Sequence, residues 1–481
     1  MKKIMYCFVV VSFFVFSCIK YPKKIKTINE IRPNILVIAV DDLNDWVGAL
    51  NGHPQALTPN IDKLASEGML FTNAHCQAPV CNPSRSSIMT SLYPSTTGLY
   101  FLNPDIMQSE IVKENILMPK KFQNEGYYVS GAGKLFHNAR GVNEKYIPNY
   151  AGNFGGFGPF PKNKLSNYKG HRLWDWGIFP NDDKLMPDYI MASWATDILK
   201  TEINKPFWIG VGFYRPHVPQ YATQKWFDLY PIDSIQLPKV ITNDLIDLSR
   251  SGIDLTREGH VSPNHEWIVE NDQWKPLVQS YLACVSFVDK QIGRIIDALK
   301  NSEYANNTYV VLFSDHGFHF GEKQRYAKRS LWNDATRVPL IFWGPNISRG
   351  VCNKPVQLLD IYPTLLELAK ISPEKRHEGH SLSDILKGED EKWPHYARSS
   401  FGPGNHAIIS ENYRYIKYND GTEEFYDRVT DPHEWFNKIK DSKFSFLINQ
   451  HRALIPKYEH TILGEGSTGH ITYEISESSK K

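Results

Sequence analysis

The chain has 481 residues, enough for two or three domains and a large core. Hydrophobic residues make up 41% and charged residues 22%, which excludes a disordered or fibrous chain and fits an ordinary globular one. With 54 basic and 52 acidic residues the net charge is +2, so no global field favours nucleic acid, and any affinity for anions has to be local.

At the N-terminus, Lys2 and Lys3 precede an apolar run over 4–16, shorter than the roughly 20 residues a bilayer span needs. Val15-Phe16-Ser17-Cys18 resembles a bacterial lipobox, in which Cys18 would be lipidated; a plain secretory signal cleaved nearby is the alternative. Residues 1–18 are therefore read as a leader and 19–31 as a polar tether. The expected product is an exported periplasmic or cell-surface protein that meets the membrane only through its lipid anchor. Cys7 and Cys18 belong to the leader, and Cys76, Cys284 and Cys352 form an odd set without metal spacing, so no disulfide framework is expected.

The run Asn34-Ile35-Leu36-Val37-Ile38-Ala39-Val40 predicts a buried central strand of a parallel sheet, and it ends in Asp41-Asp42. Thr58-Pro59 caps a predicted helix over 60–67, closed by Gly68. Further strands are predicted at 127–130, running into Gly131 and Lys134, and at 207–213, running into Arg215 and His217. Two more are predicted at 309–313, ending in Asp315-His316-Gly317, and at 338–343. Val278, Leu282, Val285, Val288, Ile292, Ile295 and Leu299 recur at helical spacing and predict a long amphipathic helix over 277–300. Polar residues thus follow the C-terminal ends of strands, where open α/β sheets hold their ligands. The fold class predicted for 32–371 is α/β, a large doubly wound, mostly parallel sheet with helices on both faces. Residues 143–187 are rich in Gly, Pro, Asn and aromatics and hold no period; they read as a wall of a substrate cleft, or as an insertion that merely packs. Beyond 371, short strands at 406–410, 413–418 and 424–427, with turns at Glu411-Asn412 and Asp420-Gly421, predict a small antiparallel sheet within a C-terminal α+β subdomain, 372–481.

Cys81-Asn82-Pro83-Ser84-Arg85 reads as a loop turning into a helix. Pro83 suits the first helical position, which predicts a helix over 84–91, stopped by Pro94, with Cys81 just before its N-terminus. Free N–H groups and the positive end of the helix dipole gather there, and Arg85 can aim a guanidinium at the same point. Cysteine, anion site and arginine together describe covalent chemistry on an oxyanion; a buried structural thiol is the bland alternative. Asp41, Asp42 and Asp315 supply oxygen ligands for a hard divalent cation, with His316 as a fourth side chain. That donor set points to calcium, or to magnesium as second choice, and away from structural zinc.

Cys-x-Pro-Ser-Arg, with the residues that follow it to Gly98, resembles the signature of the type I sulfatases of the alkaline-phosphatase-like superfamily. The resemblance runs from about Arg32 to about Asn437, where Tyr426-Asp427, Asp431-Pro432-His433-Glu434 and Asn437 are similar to the family's carboxy-terminal pattern. Lys134-Leu135-Phe136-His137 and Tyr214-Arg215-Pro216-His217-Val218-Pro219 resemble the iduronate-2-sulfatase branch. The resemblance implies that a maturation enzyme oxidises Cys81 to formylglycine, and that calcium is held by Asp41, Asp42, Asp315 and His316 with the modified Cys81 as a further ligand. It also implies that Arg85 and Lys134 hold the hydrated aldehyde and the developing charge, that His137 is the base, and that His217 and Lys328 contact the sulfate. Lys328 lies in a basic run, 323–329, that on residues alone reads equally well as a solvated face.

The implied substrate is a sulfated oligosaccharide, first a 2-O-sulfated uronic acid from heparan or dermatan sulfate. Arg172 is a candidate cation for the uronate carboxylate, with Trp174 or Trp176 as a stacking face. The alternatives are a sulfatase of algal galactans or fucans, a phosphatase or phosphodiesterase of the same superfold with Cys81 unmodified, and a surface glycan binder without turnover. His75, His260 and His265 match nothing in the family pattern and read as ordinary histidines.

Overall fold

The computed structural model describes residues 32–137, 142–256, 262–389 and 393–464; the expected leader, Cys18, the tether and His260 lie outside them. Strand β1 (Asn34–Val40) is buried along its whole length. Its alternate residues feed two cores: Leu36, Ile38 and Val40 face one, and Ile35, Val37 and Ala39 the other. A continuous apolar run is what a strand covered on both faces requires.

The other strands of the sheet are β2 (Met69–Phe71), β3 (Tyr128–Gly133), β4 (Phe207–Phe213), β5 (Thr308–Ser314), β6 (Leu340–Trp343) and β7 (Gly350–Cys352), in the order β7-β2-β6-β5-β1-β4-β3. Pairings along β3-β4-β1-β5 and between β7 and β2 are parallel, whereas β6 runs antiparallel to both neighbours. The doubly wound, mostly parallel α/β sheet is therefore present, with one reversed strand. Helices α1 (Pro59–Glu67), α2 (Cys81–Thr90), α3 (Pro187–Ile198), α4 (Trp274–Lys300) and α5 (Ile361–Leu368) cover the two faces. Ile61, Met191 and Val285 of α1, α3 and α4 pack against the Leu36 face; Ile88 of α2 and Leu365 of α5 pack against the Ile35 face.

A second sheet, antiparallel throughout, comprises β8 (Ala397–Ser400), β9 (His406–Ile409), β10 (Tyr413–Lys417) and β11 (Glu423–Asp427). It is tied to the larger sheet's surroundings by buried polar contacts. The Ser399 hydroxyl donates to the Cys76 carbonyl, and the Arg414 guanidinium to Glu434 at 2.6 Å and the Leu331 carbonyl at 2.8 Å. Among the described residues no helix is long and apolar enough to cross a membrane.

Three expectations need correction. The helix predicted over 84–91 begins at Cys81, with Val80 as its cap, so Pro83 is its third residue and not its first. Proline is tolerated anywhere in a first turn because those N–H groups have no intrahelical acceptor. The helix also ends before Pro94: Ser91 is left-handed (φ 57) and closes it by donating to the Ser87 carbonyl. The 143–187 segment is not wholly irregular, since Trp176–Ile178 pairs in parallel with Gln220–Ala222. Trp174 and Trp176 are buried in the core, packed on Phe318 and on Tyr168 and Trp267, and offer no stacking face to a ligand. Arg172 is exposed, with its guanidinium over the Phe160 ring.

Gly133 at the end of β3 and Gly212, the last residue but one of β4, are glycines because the two backbones nearly touch there. Gly133 is left-handed (φ 74), and a Cβ on Gly212 would collide with the Lys134 carbonyl. Gly212→Ala is expected to cost about 1–3 kcal/mol by overpacking and to displace Lys134. Urea denaturation checks it; an unchanged midpoint would mean that the two strand ends part freely.

Candidate active site

The C-terminal ends of four neighbouring strands deliver most of the predicted residues to one place. Asp41 and Asp42 follow β1, Lys134 and His137 follow β3, Arg215 and His217 follow β4, and Asp315 and His316 follow β5. The N-terminal end of α2 adds Cys81, Ser84 and Arg85, and Lys328 returns from the connection after β5. The basic run 323–329 is not a solvated face: Lys323, Arg325 and Arg329 are buried and Lys328 nearly so.

Asp42 adopts the left-handed conformation (φ 62), which is strained for a residue with a side chain. Its conformation is fixed from both sides: its N–H donates to Asp315 Oδ1 at 3.2 Å, and its carbonyl accepts the Tyr281 hydroxyl at 2.9 Å. Asp42 Oδ1 accepts Lys328 Nζ at 2.6 Å, whereas Oδ2 is buried without a hydrogen-bond partner. Arg85 Nε donates to Asp315 Oδ2 at 2.8 Å, Nη2 to Asp41 Oδ1 at 3.2 Å, and Nη1 to the Lys134 carbonyl. Lys134 Nζ donates to Asp41 Oδ2 at 2.5 Å.

Around the Cys81 sulfur stand His316 Nε2 at 3.2 Å and Lys328 Nζ at 3.5 Å. His316 Nε2 is also 3.5 Å from Asp42 Oδ1 and 3.6 Å from Asp315 Oδ2. His217 donates from Nδ1 to the Val218 carbonyl at 2.5 Å, which leaves Nε2 facing Asp42 Oδ2 at 3.8 Å. The Ser84 hydroxyl donates to the Asp315 carbonyl at 2.5 Å and joins α2 to the end of β5. Arg215 does not join this cluster. It is buried and donates to the carbonyls of Tyr221, Phe157 and Gly158, so it ties the 143–187 segment to the strand end.

The charges act strongly on one another because water is excluded. Burial by itself would raise the Cys81 thiol, yet Lys134, Lys328 and His316 outweigh it and hold the thiol well below its usual range. At Cys76 and Cys284 burial outweighs the pull of Arg414 and Arg215 and pushes the thiols up, the latter to about 12. Burial lowers His316, but Asp315 and Cys81 reverse the effect and push it up to about 9. Burial pushes Asp315 up to about 6 against the pull of Arg85, while at Asp41 the opposing Lys134 wins and the carboxyl is lowered. His137 is lowered by burial, so it is a neutral imidazole near pH 7.

Donor atoms of Asp41, Asp42, Cys81 and His316 lie within 4.8 Å of one another. That set of two carboxylates, a sulfur and an imidazole, with the orphaned Asp42 Oδ2, fits a divalent cation. Asp315 stands beside the quartet, its oxygens engaged by Arg85 and by the N–H groups of Asp42 and His316.

Two side chains at the site were not singled out from the sequence. Ser84 lies inside the motif itself, so its spacing could have flagged it. Phe157 could not have been found: its ring sits 4.6 Å from that of His217, with Lys134 Nζ 5.2 Å from its centroid, and nothing in an aperiodic segment marks it. His75 and His265 are ordinary, engaged with Asn73 and with the Tyr326 hydroxyl.

Comparison with known proteins bears on this geometry. The family model described as Sulfatase matches residues 33–371, and one described as N-sulphoglucosamine sulphohydrolase, C-terminal, matches 321–460. A relative named Sulfatase from Formosa agariphila is 43% identical over 93% of this chain and 91% of its own. Human iduronate 2-sulfatase is 33% identical over 65% of this chain and 60% of its own. A solved structure of a 2-O GAG sulfatase covers 88% of this chain and 91% of its own, with a TM-score of 0.67 at 23% identity, and so agrees in fold. A model spanning most of the described residues and a relative matched along nearly the whole chain carry the same conclusion: this chain belongs to the sulfatase family and is a sulfuric ester hydrolase.

Proposed function

We propose that the protein is an exported, lipid-anchored sulfatase that removes 2-O-sulfate from uronic acids in glycosaminoglycan oligosaccharides. The observation that carries the catalytic part is the convergence of Asp41, Asp42, Cys81 and His316 under Arg85, Lys134 and Lys328, with Asp42 Oδ2 left without a partner. Human iduronate 2-sulfatase is 33% identical over 65% of this chain, and the two stretches that resemble its branch both border the site. These support the uronate reading. The lipobox-like Val15–Cys18 stretch supports the address.

In this reading a maturation enzyme converts Cys81 to formylglycine, whose hydrate supplies the attacking hydroxyl. Calcium, with magnesium second, would be held by Asp41, Asp42, Asp315, His316 and residue 81; when bound it polarises the sulfate oxygens and makes the hydroxyl more acidic. Lys134 and Lys328 flank residue 81 and stabilise the negative charge that spreads over the sulfate. Fixed cations aimed at developing charge usually contribute more to the rate than any other feature of such a site. Arg85 fixes Asp41 and Asp315 in place and adds a buried positive charge. His137, neutral and beside residue 81, accepts the proton that must leave its second hydroxyl as sulfate departs. His217 or Lys328 protonates the departing sugar oxygen.

Asp42→Asn is expected to reduce bound divalent metal at least tenfold, since it weakens the donor whose oxygen has no other partner. Metal analysis of the purified protein checks this; an unchanged stoichiometry would place the metal elsewhere. The substrate is tested by sulfate release from a panel of defined sulfated di- and oligosaccharides. Release from 2-O-sulfated uronates is expected. Release from galactose or fucose sulfates with none from uronates would overturn the uronate assignment and leave a sulfatase of algal galactans or fucans.

A further inference from the structure

Helix α2 points its first residue, Cys81, at the active site; its ten residues span about 15 Å. Just past its other end lies a cavity of about 310 Å³, lined by Tyr93, Gln357, His380, His395, Tyr396 and Arg398 among others. The cavity is therefore separate from the active site and opens where β8 meets the main body. No carboxylate is among its lining residues, and Arg398 is their one fixed cation.

Arg398 is held as though for a ligand. Its guanidinium lies 3.6 Å from the centre of the Tyr93 ring, and its backbone N–H donates to Gln357 Oε1, which also accepts the Tyr93 hydroxyl. Nη2 donates to Ser95 Oγ at 3.2 Å. Nε is buried without a hydrogen-bond partner, and among the described residues no ion pair joins a carboxylate to the guanidinium. The nearby acids are occupied, Glu378 by the Tyr93 N–H and the Thr96 hydroxyl and Asp360 by the N–H groups of Gln357 and His380. A stacked, preoriented guanidinium without a counter-ion is the usual recognition element for a planar or tetrahedral oxyanion.

The rest of the cavity suits a saccharide. His380 and His395 stack at 3.6 Å, and burial lowers both, so they offer neutral donors and acceptors near pH 7. Tyr396 (38% exposed) and Leu454 (39%) form an open apolar rim. A cavity at the small end of ligand-binding size, with aromatic walls and a few polar groups, holds a sugar unit and not a large cofactor. We infer that this cavity is a second, non-catalytic site that binds a sulfate or carboxylate group carried by the same class of acidic saccharide the enzyme hydrolyses. The class rests on the function proposed above; the anion site rests on Arg398 alone. A distant second contact would raise the effective concentration of a long chain at the active site without new chemistry there.

Calorimetry on the full chain tests this, with Cys81→Ser present so that nothing is turned over, using a heparin hexasaccharide and, separately, inorganic sulfate. The expected result is a saccharide-binding event that Arg398→Gln weakens tenfold or more and that survives Lys328→Ala. Tyr396→Ala gives a second, independent weakening if Arg398→Gln does not fold. Hexasaccharide binding unchanged by both substitutions, in folded protein, would overturn the site. Inorganic sulfate that binds as tightly as the hexasaccharide at the Arg398 site would overturn the saccharide and leave a simple oxyanion site. Failure of the panel assay to release any sulfate would sink the proposed function while leaving this binding result readable.

Discussion

Cys81→Ser is expected to lower turnover of sulfate esters by roughly four orders of magnitude or more in a host whose maturation enzyme oxidises only cysteine, with the fold retained. The fold survives because the substitution keeps a small polar atom at the first position of α2. A serine hydroxyl there still meets His316 and Lys328, which stand 3.2 and 3.5 Å from the sulfur. Activity is lost because an unoxidised serine cannot form the hydrate that supplies one hydroxyl for attack and a second for release. Steady-state kinetics beside a circular dichroism melt separates the two effects. Wild-type turnover in Cys81→Ser would remove residue 81 from the reaction.

Asp315→Ala is expected to abolish activity and to destabilise the protein by about 3 kcal/mol, the lower end of the cost of stripping one partner from a buried ion pair. The lower end applies because Arg85 keeps Asp41 at 3.2 Å and the Lys134 carbonyl. What it loses is the 2.8 Å bond from Nε, in a place where both side chains are almost wholly shielded from water. The N–H groups of Asp42 and His316 lose an acceptor as well, which loosens the left-handed turn that aims the Asp42 carboxylate. Urea unfolding of the two single variants and of Asp315→Ala with Arg85→Met forms a double-mutant cycle. The pair should recover much of the stability lost by Asp315→Ala and none of the activity. Additive losses would mean that Arg85 and Asp315 do not depend on each other.

What could be read from residue order was whatever depends on neighbours in the chain. The 34–40 run is β1 residue for residue, because a strand buried on both faces admits almost nothing but apolar, mostly β-branched side chains. The period that predicted a helix from 277 extends one turn earlier, to Trp274, where the apolar face is still in register. Asp41-Asp42 and Asp315-His316, at the ends of β1 and β5, mark one site because parallel strands bring their C-terminal ends together. The start of α2 is not legible from Pro83, because proline fixes its own φ without saying which position of the first turn it occupies. Trp174 and Trp176 read from the sequence as candidate stacking faces, and they are core. Composition cannot separate these roles, since a large ring is equally suited to both. Phe157 reaches His217 only through the fold of a segment without period, and the reversal of β6 depends on which edge receives the returning chain; neither is a local property.

The most direct test of the central claim is the chemical state of residue 81 in active protein. Tandem mass spectrometry of the peptide that contains it, from enzyme produced with a formylglycine-generating partner, is predicted to find the thiol replaced by an aldehyde that a hydrazide probe captures. The aldehyde fraction should rise and fall with specific activity across preparations. Full sulfatase activity in protein whose Cys81 is an unmodified thiol throughout would contradict the account.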